Sequence, residues 1–273
     1  MSFSAVEIQN REKMKDVWKN AHPSITHVVH LAAQAGVRHS LVDPYSYVDT
    51  NVMGHLVLLE LARHEGGIKS FVYASTSSVY GSNTNMPFTE DDVTDSPMAV
   101  YAATKKCDEL MSQSYAHLFR LPCTGLRFFS VYGPWGRPDM ALFIFTKNIF
   151  EGKPISVFNQ GQMKRDFTYV DDIVEGVISA LANPPEDKKE RAPHRIYNLG
   201  NGHMEDLMDY ISLIEQYVGK KAKIQYEEMQ PGDIPASLSD TSRAQKELGF
   251  QSKTRIVEGV RHFVEWYKNY YGA

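Results

Sequence analysis

Short apolar runs alternate with longer segments of helical periodicity along the first half of the chain. The runs HVVHLAA (27–33), KSFVYAS (69–75) and TGLRFF (124–129) are apolar and rich in β-branched residues, and helical patterns cover about 45–65 and 99–120. Near-continuous apolar strands are typical of a sheet that is covered on both faces, and the intervening helices are long enough for right-handed crossovers. The pattern predicts a doubly wound parallel α/β sheet.

Local signals mark the ends of the first of these helices. Pro44 follows Asp43, as at a helix start, and Gly66 and Gly67 follow the last periodic position as a stop. We therefore expect one long helix between these two signals.

The pattern changes after Gly133, where GPWGRPD indicates a loop. The predicted elements that follow are a helix (139–151), short strands at ISVFN and RDFTYV, a strand (195–200) and helices over about 204–218, 241–248 and 255–270. This mixture predicts a smaller C-terminal α+β domain. We place 1–136 and 167–203 in the first domain, and 137–166 and 204–273 in the second.

Composition narrows the class of protein. The 273 residues are 42% hydrophobic, without an apolar run of about 18 residues, and the polar start MSFSAVEIQNREK lacks the apolar core of a signal peptide. We expect a cytoplasmic globular protein without a membrane segment. Cys107 and Cys123 form no metal-type pair, so we expect no metal site. The net charge of -4 and the pI near 6.2 argue against a nucleic-acid surface.

The most informative residues are Tyr101 and Lys105, four positions apart in YAATK. Positions i and i+4 share a helix face, so the lysine can lower the pKa of the phenol. Thr76, Ser77 and Ser78 follow an apolar strand, and a hydroxyl there can share the substrate proton that the phenol removes. Together these residues predict the base of an oxidising enzyme.

The same spacing occurs at Tyr217 and Lys221. This second pair runs through Gly219, a predicted helix stop, and no strand ending in serine or threonine precedes it. We interpret it as a surface feature without chemistry.

Ligands of doubly wound sheets lie beyond the carboxyl ends of the strands. Small residues, Ala32 and Ala33, lie at the carboxyl end of the first predicted strand, and they allow a flat ring or a ribose to approach the backbone closely. The alternative is a tight strand-to-helix turn with no ligand.

Nine segments occur in an order that is typical of one family. They are HLAAQAGVRHS, DTNVMGHLVLLE, FVYASTSSVYG, MPFTE, YAATKKCDELM, LRFFSVYGPWGRPDMALF, KRDFTYVDDIVEG, YNLGN and MQPGD. On these segments the chain resembles the NAD-dependent epimerase/dehydratase family of extended short-chain dehydrogenase/reductases, and within it the UDP-glucuronate 4-epimerases. The resemblance runs from about residue 3 to the end, and it implies a Rossmann-like sheet that binds NAD and a C-terminal domain that binds the nucleotide sugar.

The resemblance implies a catalytic set of Tyr101, Lys105 and Thr76. Tyr101 matches the base that takes the proton of the sugar 4-hydroxyl while hydride leaves C4, and Thr76 bonds the same oxygen. Lys105 holds the nicotinamide ribose. A free phenol has a pKa near 10, so reaction near neutral pH requires about 3 units of depression, or about 4 kcal/mol. The transient 4-keto sugar then rotates and receives the hydride on its other face.

The resemblance also implies ligand contacts. The cofactor residues that it implies are Glu7, Ile8, Ala32, Ala33, Asn51, Ser75, Tyr101 and Lys105. The substrate residues that it implies are Ser77, Ser78 and Ser130 at the sugar carboxylate, Arg165 at the diphosphate, Arg137 near the carboxylate or nucleotide, and Asp233 at the uridine ribose.

Plain structural readings stay open for four of these residues. Arg165 can pair with Asp166 or Asp171, and Arg137 can cap its own loop. Asp233 lies in a sequence typical of a turn, and Asn51 can bond locally within a helix.

The glycine-rich turn with which this family opens has no counterpart in the sequence. Residues 3–8 resemble the third strand of the family, so we expect the first strands to be missing from the sheet. We expect an unpaired apolar edge at 27–31, with reduced stability or unusual association. We also expect NAD to bind several orders of magnitude more weakly, because the diphosphate site is lost.

Two other functions stay open. The first is a sibling dehydratase or decarboxylase, and the second is a nucleotide-sugar-binding remnant that has lost NAD binding. The resemblance further implies a homodimer through the helices near 45–65 and 99–118. Two positions are possible for the apolar residues of the second helix, the dimer interface or the intramolecular core. These residues are Leu110, Met111, Tyr115 and Leu118.

Overall fold

The structure is a computed structural model that describes residues 2–230 and 232–272. The chain forms two compact units. The first comprises Met1–Thr84, Glu90–Phe128 and Val177–Asn198, and the second comprises Asn85–Thr89, Phe129–Gly176 and Leu199–Ala273. The main breaks lie at 128/129, 176/177 and 198/199, whereas the predicted domain boundaries are 136/137, 166/167 and 203/204, and the roles of the two domains stay predictions.

Helices and strands alternate through most of the chain. In chain order they are α1 (Arg11–Lys19), β1 (His27–His30), α2 (Pro44–Tyr47), α3 (Gly54–Glu65), β2 (Ser70–Thr76), α4 (Val100–Phe119), β3 (Cys123–Phe128), β4 (Ser130–Tyr132), α5 (Ala141–Glu151), β5 (Pro154–Phe158), β6 (Lys164–Arg165), β7 (Phe167–Tyr169), α6 (Val170–Ala182), β8 (His194–Leu199), β9 (Glu205–Asp206), α7 (Leu207–Val218), β10 (Lys223–Glu227), α8 (Ser242–Leu248) and α9 (Ile256–Tyr271).

The main sheet has the strand order β1-β2-β3-β8. β1 pairs parallel with β2, and β2 pairs parallel with β3, with Val29 opposite Val72 and Val72 opposite Thr124. Every residue of β2 is buried except Ala74, which is half-buried. This confirms the predicted parallel α/β sheet, in which apolar strands are covered on both faces.

A third strand over residues 3–8 is not formed, and that prediction is wrong. Residues 2–7 have no regular secondary structure, and Ile8 lies in a turn. Among the described residues, the one strand that pairs with β1 is β2, so the segment has no neighbour to receive its backbone hydrogen bonds. The Ile8 side chain instead packs on α3 at Gly54, where a Cβ would lie 2.5 Å from its Cδ1.

The long helix predicted over 45–65 forms in three consecutive pieces. Pro44 begins α2, and the Asp43 carboxylate accepts a hydrogen bond from the Ser46 backbone N–H. A π-helical segment (Val48–Met53) joins α2 to α3, and Gly66, with a φ of 69°, ends α3. Pro44 therefore begins this helical segment and Gly66 ends it, as predicted.

The second unit has its own core, formed mainly by α5, β5, α7 and α9. β5 and β10 form a parallel pair, β4 and β7 another, and β6 and β9 an antiparallel pair. The largest buried side chains of this core include Tyr132, Phe143, Phe145, Tyr210, Phe263 and Tyr267. The elements α5, α7, α8 and α9 lie within two to three residues of the predicted ranges.

The sequence patterns predicted neither α1, α6 nor β10. α1 buries only Trp18, and β10 is mostly exposed, so neither carries a long apolar run. Across residues 2–230 and 232–272, no helix combines the length and the apolar content that a bilayer crossing requires.

Candidate functional site

Tyr101 and Lys105 lie in the first two turns of α4, in the first unit. Lys105 is 3% exposed, whereas Tyr101 is half-buried and its ring packs edge-on against the Tyr47 ring at 6.1 Å between centroids. The Tyr101 hydroxyl makes no hydrogen bond to another described residue. The phenol therefore keeps both its donor and its acceptor capacity for a bound molecule.

Thr76 ends β2 and caps the short 3-10 turn Ser77–Tyr80. Its hydroxyl accepts a hydrogen bond from the Ser78 backbone N–H and donates to Ser78 Oγ, both at 3.2 Å. Ser77 and Ser78 are half-buried in that turn. The structure therefore brings the predicted hydroxyl groups together at the carboxyl end of a central strand.

Asn51 lies in the π-helical segment and is 1% exposed. Its amide accepts a hydrogen bond from the Gln34 N–H at 2.8 Å and donates to the Gln34 carbonyl and to Thr104 Oγ1. It thus fastens the loop after β1 to α4, one residue before Lys105. The bonds reach across the fold, unlike the purely local alternative, and a role beside the cofactor stays a prediction.

The Ser75 side chain contacts a buried ion pair between Glu109 and Arg127. Ser75 donates to Glu109 Oε1 at 2.7 Å, and Arg127 donates to both Glu109 oxygens at 2.8 and 2.9 Å. Burial raises the pKa of Glu109, but the hydrogen bonds and charge of Arg127 outweigh it, so the pKa lies below its ordinary value. Arg127 also donates to the Tyr80 hydroxyl, which donates to Asn198. The Ser75 hydroxyl therefore donates its hydrogen bond within the core, to Glu109.

The other predicted cofactor residues lie on the surface or near it. Ala32 is exposed and Ala33 half-buried in the loop after β1, which leaves their backbone accessible. Glu7 is exposed, and its carbonyl accepts from the Asn10 N–H, while Ile8 packs on α3. Their contacts with a cofactor stay predictions.

In the second unit, the structure brings together Arg165 and Asp233, two residues predicted to bind substrate. An Arg165 guanidinium N–H donates to Asp233 Oδ1 at 3.2 Å, and another donates to the backbone carbonyls of Lys164 and Pro235. The carboxylate fixes the direction of the guanidinium fork while the pair stays partly exposed. The Asp233 backbone N–H donates to the Gln230 carbonyl, as expected for the predicted turn. Pro231, between them, lies outside the described residues.

Asp166, next to Arg165 in the chain, holds the surrounding loops. It is fully buried, and its carboxylate accepts hydrogen bonds from the backbone N–H groups of Asn201, Gly202 and Ser239 and from the Ser239 hydroxyl. A carboxylate with this many donors is stabilised in its place. Asp166 therefore positions the strand that carries Arg165.

Arg137 and Ser130 are the other two predicted substrate residues of the second unit. Arg137 forms a two-pronged ion pair with Asp139, as expected for a loop-capping charge. The Ser130 backbone N–H donates to the Asp166 carbonyl, and the residue is half-buried. Substrate contacts of both residues stay predictions.

The chain is similar to a known family and to several curated proteins. The family model described as NAD dependent epimerase/dehydratase family matches residues 2–200. The Staphylococcus aureus protein CapI is 45% identical over 99% of this chain and 83% of its own length. A probable UDP-glucuronate 4-epimerase of Rhizobium meliloti is 43% identical over 98% of this chain and 82% of its own length.

A solved structure has the same fold. UDP-glucuronic acid 4-epimerase from Bacillus cereus, in complex with UDP-glucuronic acid and NAD, superimposes with a TM-score of 0.87 at 33% identity, covering 97% of this chain and 81% of that chain. The chain belongs to the NAD-dependent epimerase/dehydratase family.

For this family member, sequence reasoning missed several buried polar residues that hold α4 and its neighbours. They are His30, His55, Asp108, Glu109 and Arg127. Asp108 and Glu109 follow Tyr101 and Lys105 on the same helix, and two adjacent acids on a helix that packs against a sheet were the available signal. Among the described residues, no group of three or more His, Cys, Asp or Glu could hold a metal ion.

Two buried imidazoles, those of His30 and His55, stack on each other in the first unit. The rings of His30 on β1 and His55 on α3 are 5.3 Å apart, and His55 Nε2 lies 2.8 Å from Ser112 Oγ. Burial, and next the charge of Lys105, lowers the pKa of His30 from 6.5 to about 3. Burial and the charges of His30 and Lys105 also place the pKa of His55 well below its ordinary value. Both rings are therefore neutral at physiological pH.

The neutral His30 makes the stability of the protein sensitive to acid. Its folded-state pKa lies below the unfolded value, so between pH 6.5 and 3 the unfolded chain binds a proton that the folded chain does not, and stability falls as the pH falls. The variant His30→Phe keeps a stacked ring without this titration. We expect its loss of unfolding free energy between pH 7 and pH 5 to be smaller by about 2 kcal/mol, measured by urea denaturation.

The exposed His64 provides the control, because its side chain is 59% accessible. His64→Phe is expected to leave the acid sensitivity at the wild-type value. An unchanged pH dependence in His30→Phe would contradict the neutral buried state of His30.

Proposed function

We propose that this protein is a nucleotide-sugar 4-epimerase that interconverts UDP-glucuronate and UDP-galacturonate through a transient 4-keto sugar. The observation that carries the proposal is the half-buried Tyr101, whose hydroxyl makes no hydrogen bond to another described residue, on the same helix face as Lys105. Thr76 supplies a hydroxyl at the carboxyl end of β2. The family membership and the names of the relatives support the same reaction class.

The residues of the first unit fit the nicotinamide half of NAD. Lys105 has three N–H donors and uses one on another side chain, which leaves two for ribose hydroxyls. The accessible backbone at Ala32 and Ala33 allows a flat group to approach. NAD bound there would supply the acceptor, and then the donor, for the hydride at sugar C4.

The chain's own residues perform the proton transfer. The Tyr101 phenolate takes the proton of the sugar 4-hydroxyl, and the Lys105 ammonium stabilises that phenolate. Thr76 shares a hydrogen bond with the same sugar oxygen and so fixes its distance to the phenol. When the hydride returns, Tyr101 gives the proton back to the 4-oxygen, and the residue ends the cycle as it began.

The remaining groups recognise the anionic parts of the substrate. The Arg165 guanidinium is a planar fork that suits two diphosphate oxygens, and Asp233 holds it while offering a carboxylate oxygen to the uridine ribose. Ser77, Ser78 and Ser130 offer hydroxyls to the sugar carboxylate without the fixed charge that would hold the ring in one orientation.

The role of Tyr101 is tested by Tyr101→Phe, with Tyr217→Phe as a matched control. Loss of a positioned base lowers a rate by roughly 10²- to 10⁴-fold, so we expect such a fall in kcat/KM for epimerisation of UDP-glucuronate. Tyr217 has the same spacing from a lysine, but α7 ends at Val218 and Lys221 lies beyond it, paired with Glu215. We expect Tyr217→Phe to retain wild-type activity.

Product analysis by NMR with ¹³C-labelled UDP-glucuronate separates the alternatives. From UDP-glucuronate, a UDP-pentose with released CO₂ would assign a decarboxylase. A dehydratase would be assigned by a 4-keto-6-deoxy sugar formed from labelled UDP-glucose, whose C6 hydroxyl can leave as water. UDP binding without NAD binding, measured by calorimetry, would assign a nucleotide-sugar-binding remnant. Full activity of Tyr101→Phe would exclude the proposed base.

The diphosphate role of Arg165 is tested by Arg165→Lys. The substitution keeps the charge but removes the fork, and charge-assisted hydrogen bonds of this kind contribute about 1.5–3 kcal/mol, so UDP should bind roughly 10- to 100-fold more weakly in calorimetry. Arg261, an exposed arginine paired with Glu265, provides the control as Arg261→Lys. Equal UDP affinity of Arg165→Lys and the wild type would show that Arg165 serves the loop alone.

The homodimer is tested on the outer face of α4. Leu110 and Leu118 are 57% and 66% exposed there, so both side chains are accessible to a partner helix. We expect the double variant Leu110→Glu/Leu118→Glu to sediment as a monomer at concentrations where the wild type is a dimer. Val93→Glu, at a loop residue that is 73% exposed, should leave the dimer intact. A wild-type monomer at all concentrations would contradict the proposal.

A further inference from the structure

Lys105 does not lie alone in the core of the first unit. Its Nζ donates a hydrogen bond to Asp108 Oδ2 at 2.7 Å, and the two side chains are 3% and 0% exposed. The second carboxylate oxygen, Asp108 Oδ1, is buried and has no hydrogen-bond partner among the described residues. The pair is therefore held by one short contact, and Asp108 uses its bonding capacity on Lys105 alone.

Tyr101, Lys105 and Asp108 occupy positions i, i+4 and i+7 of α4. These positions share one helix face, and Lys105 lies between the other two along the helix. Seven residues at 1.5 Å per residue separate the backbone positions of Tyr101 and Asp108 by roughly 10 Å along the axis. At that distance a charge in a protein interior still acts appreciably on a titrating group.

Other ionisable groups face Asp108 from three elements. Tyr73 on β2 and His55 on α3 interact with Asp108, and Cys107 and Glu109 flank it on α4. His30 on β1 stacks on His55 and acts on the same group through Lys105. His30 and His55 are neutral, and Glu109 is satisfied by Arg127. The charge that Asp108 balances is therefore that of Lys105.

We propose that Asp108 is a positioning residue that holds the Lys105 ammonium in place and sets how much positive charge it presents to the Tyr101 phenol. The proposal rests on the proposed role of Tyr101 as base. An ionised Asp108 fixes the ammonium but opposes its field, so it weakens the stabilisation of the phenolate. A neutral side chain of the same shape keeps the hydrogen-bond acceptor and removes the opposing charge.

The variant Asp108→Asn separates these two effects, since its amide oxygen can accept from Lys105 as the carboxylate does. With ¹³Cζ-tyrosine labelling, the Tyr101 signal is assigned by its loss in Tyr101→Phe and followed by NMR against pH. We expect the midpoint of the Tyr101 titration to fall by roughly one pH unit in Asp108→Asn, as removal of a charge about 10 Å away predicts. The acid limb of kcat/KM should move down with it.

The exposed Asp95 provides the control for a general change of charge. Asp95→Asn should leave the Tyr101 midpoint within a few tenths of a unit. A midpoint that is unchanged or raised in Asp108→Asn, or an equal fall in both variants, would overturn the proposal.

A second measurement uses the wild-type protein and covers the case in which Asp108→Asn does not fold. Burial, opposed by the charge of Lys105, raises the pKa of Asp108 to about 6. The ¹³Cε signal of Lys105 should therefore show an inflection near that pH, shared with the ¹³Cγ signal of Asp108. Absence of this shared inflection would overturn the proposal.

The two NMR titrations need neither NAD nor turnover. Their results therefore test the role of Asp108 independently of the epimerase activity. If epimerase activity is absent but the Tyr101 midpoint falls in Asp108→Asn, the coupling of Asp108 to Tyr101 stands and the epimerase proposal fails. If activity depends on Tyr101 but the midpoint does not move, the epimerase proposal stands and Asp108 has no such role.

Discussion

The burial of an ammonium group in a helix–sheet layer is the constraint on which the first unit depends. Lys105 is 3% exposed, and an ion at that depth costs several kcal/mol unless it is paired. The fold meets this cost on the same helix, with Asp108 at 2.7 Å. Placing a lysine beside a phenol therefore requires a further charged residue, and that residue changes the field which the phenol experiences.

The same constraint explains the second buried ion pair on α4. Glu109 is 3% exposed, and it is satisfied by the two-pronged contact from Arg127 and by the Ser75 hydroxyl. Arg127 is on β3 and Ser75 on β2, so one carboxylate ties the helix to two strands of the sheet. This part of α4 is thus held by electrostatic contacts with directional geometry, which fix its rotation more closely than apolar packing alone.

The sequence predicted those parts of the fold that repeat a local pattern. Apolar strands, the helix between Pro44 and Gly66, and the face shared by Tyr101 and Lys105 follow from periodicity and from end signals. The segment 3–8 has a strand-like composition, but a strand also needs a neighbour, and that is a property of the tertiary structure. The pairing of Arg165 with Asp233 joins residues 68 positions apart, which no local pattern encodes.

The two tyrosine and lysine pairs show what spacing alone cannot decide. At Tyr217 the helix ends at Val218, Gly219 adopts a φ of 81°, and Lys221 pairs with Glu215 at the surface. At Tyr101 the helix continues to Phe119, and the lysine lies in the core beside an acid. The chemistry of the spacing depends on burial, because a low dielectric strengthens the action of an ammonium on a phenol. In the sequence, the hydroxyl-rich end of β2 distinguished the Tyr101 pair from the Tyr217 pair, because no such strand precedes Tyr217.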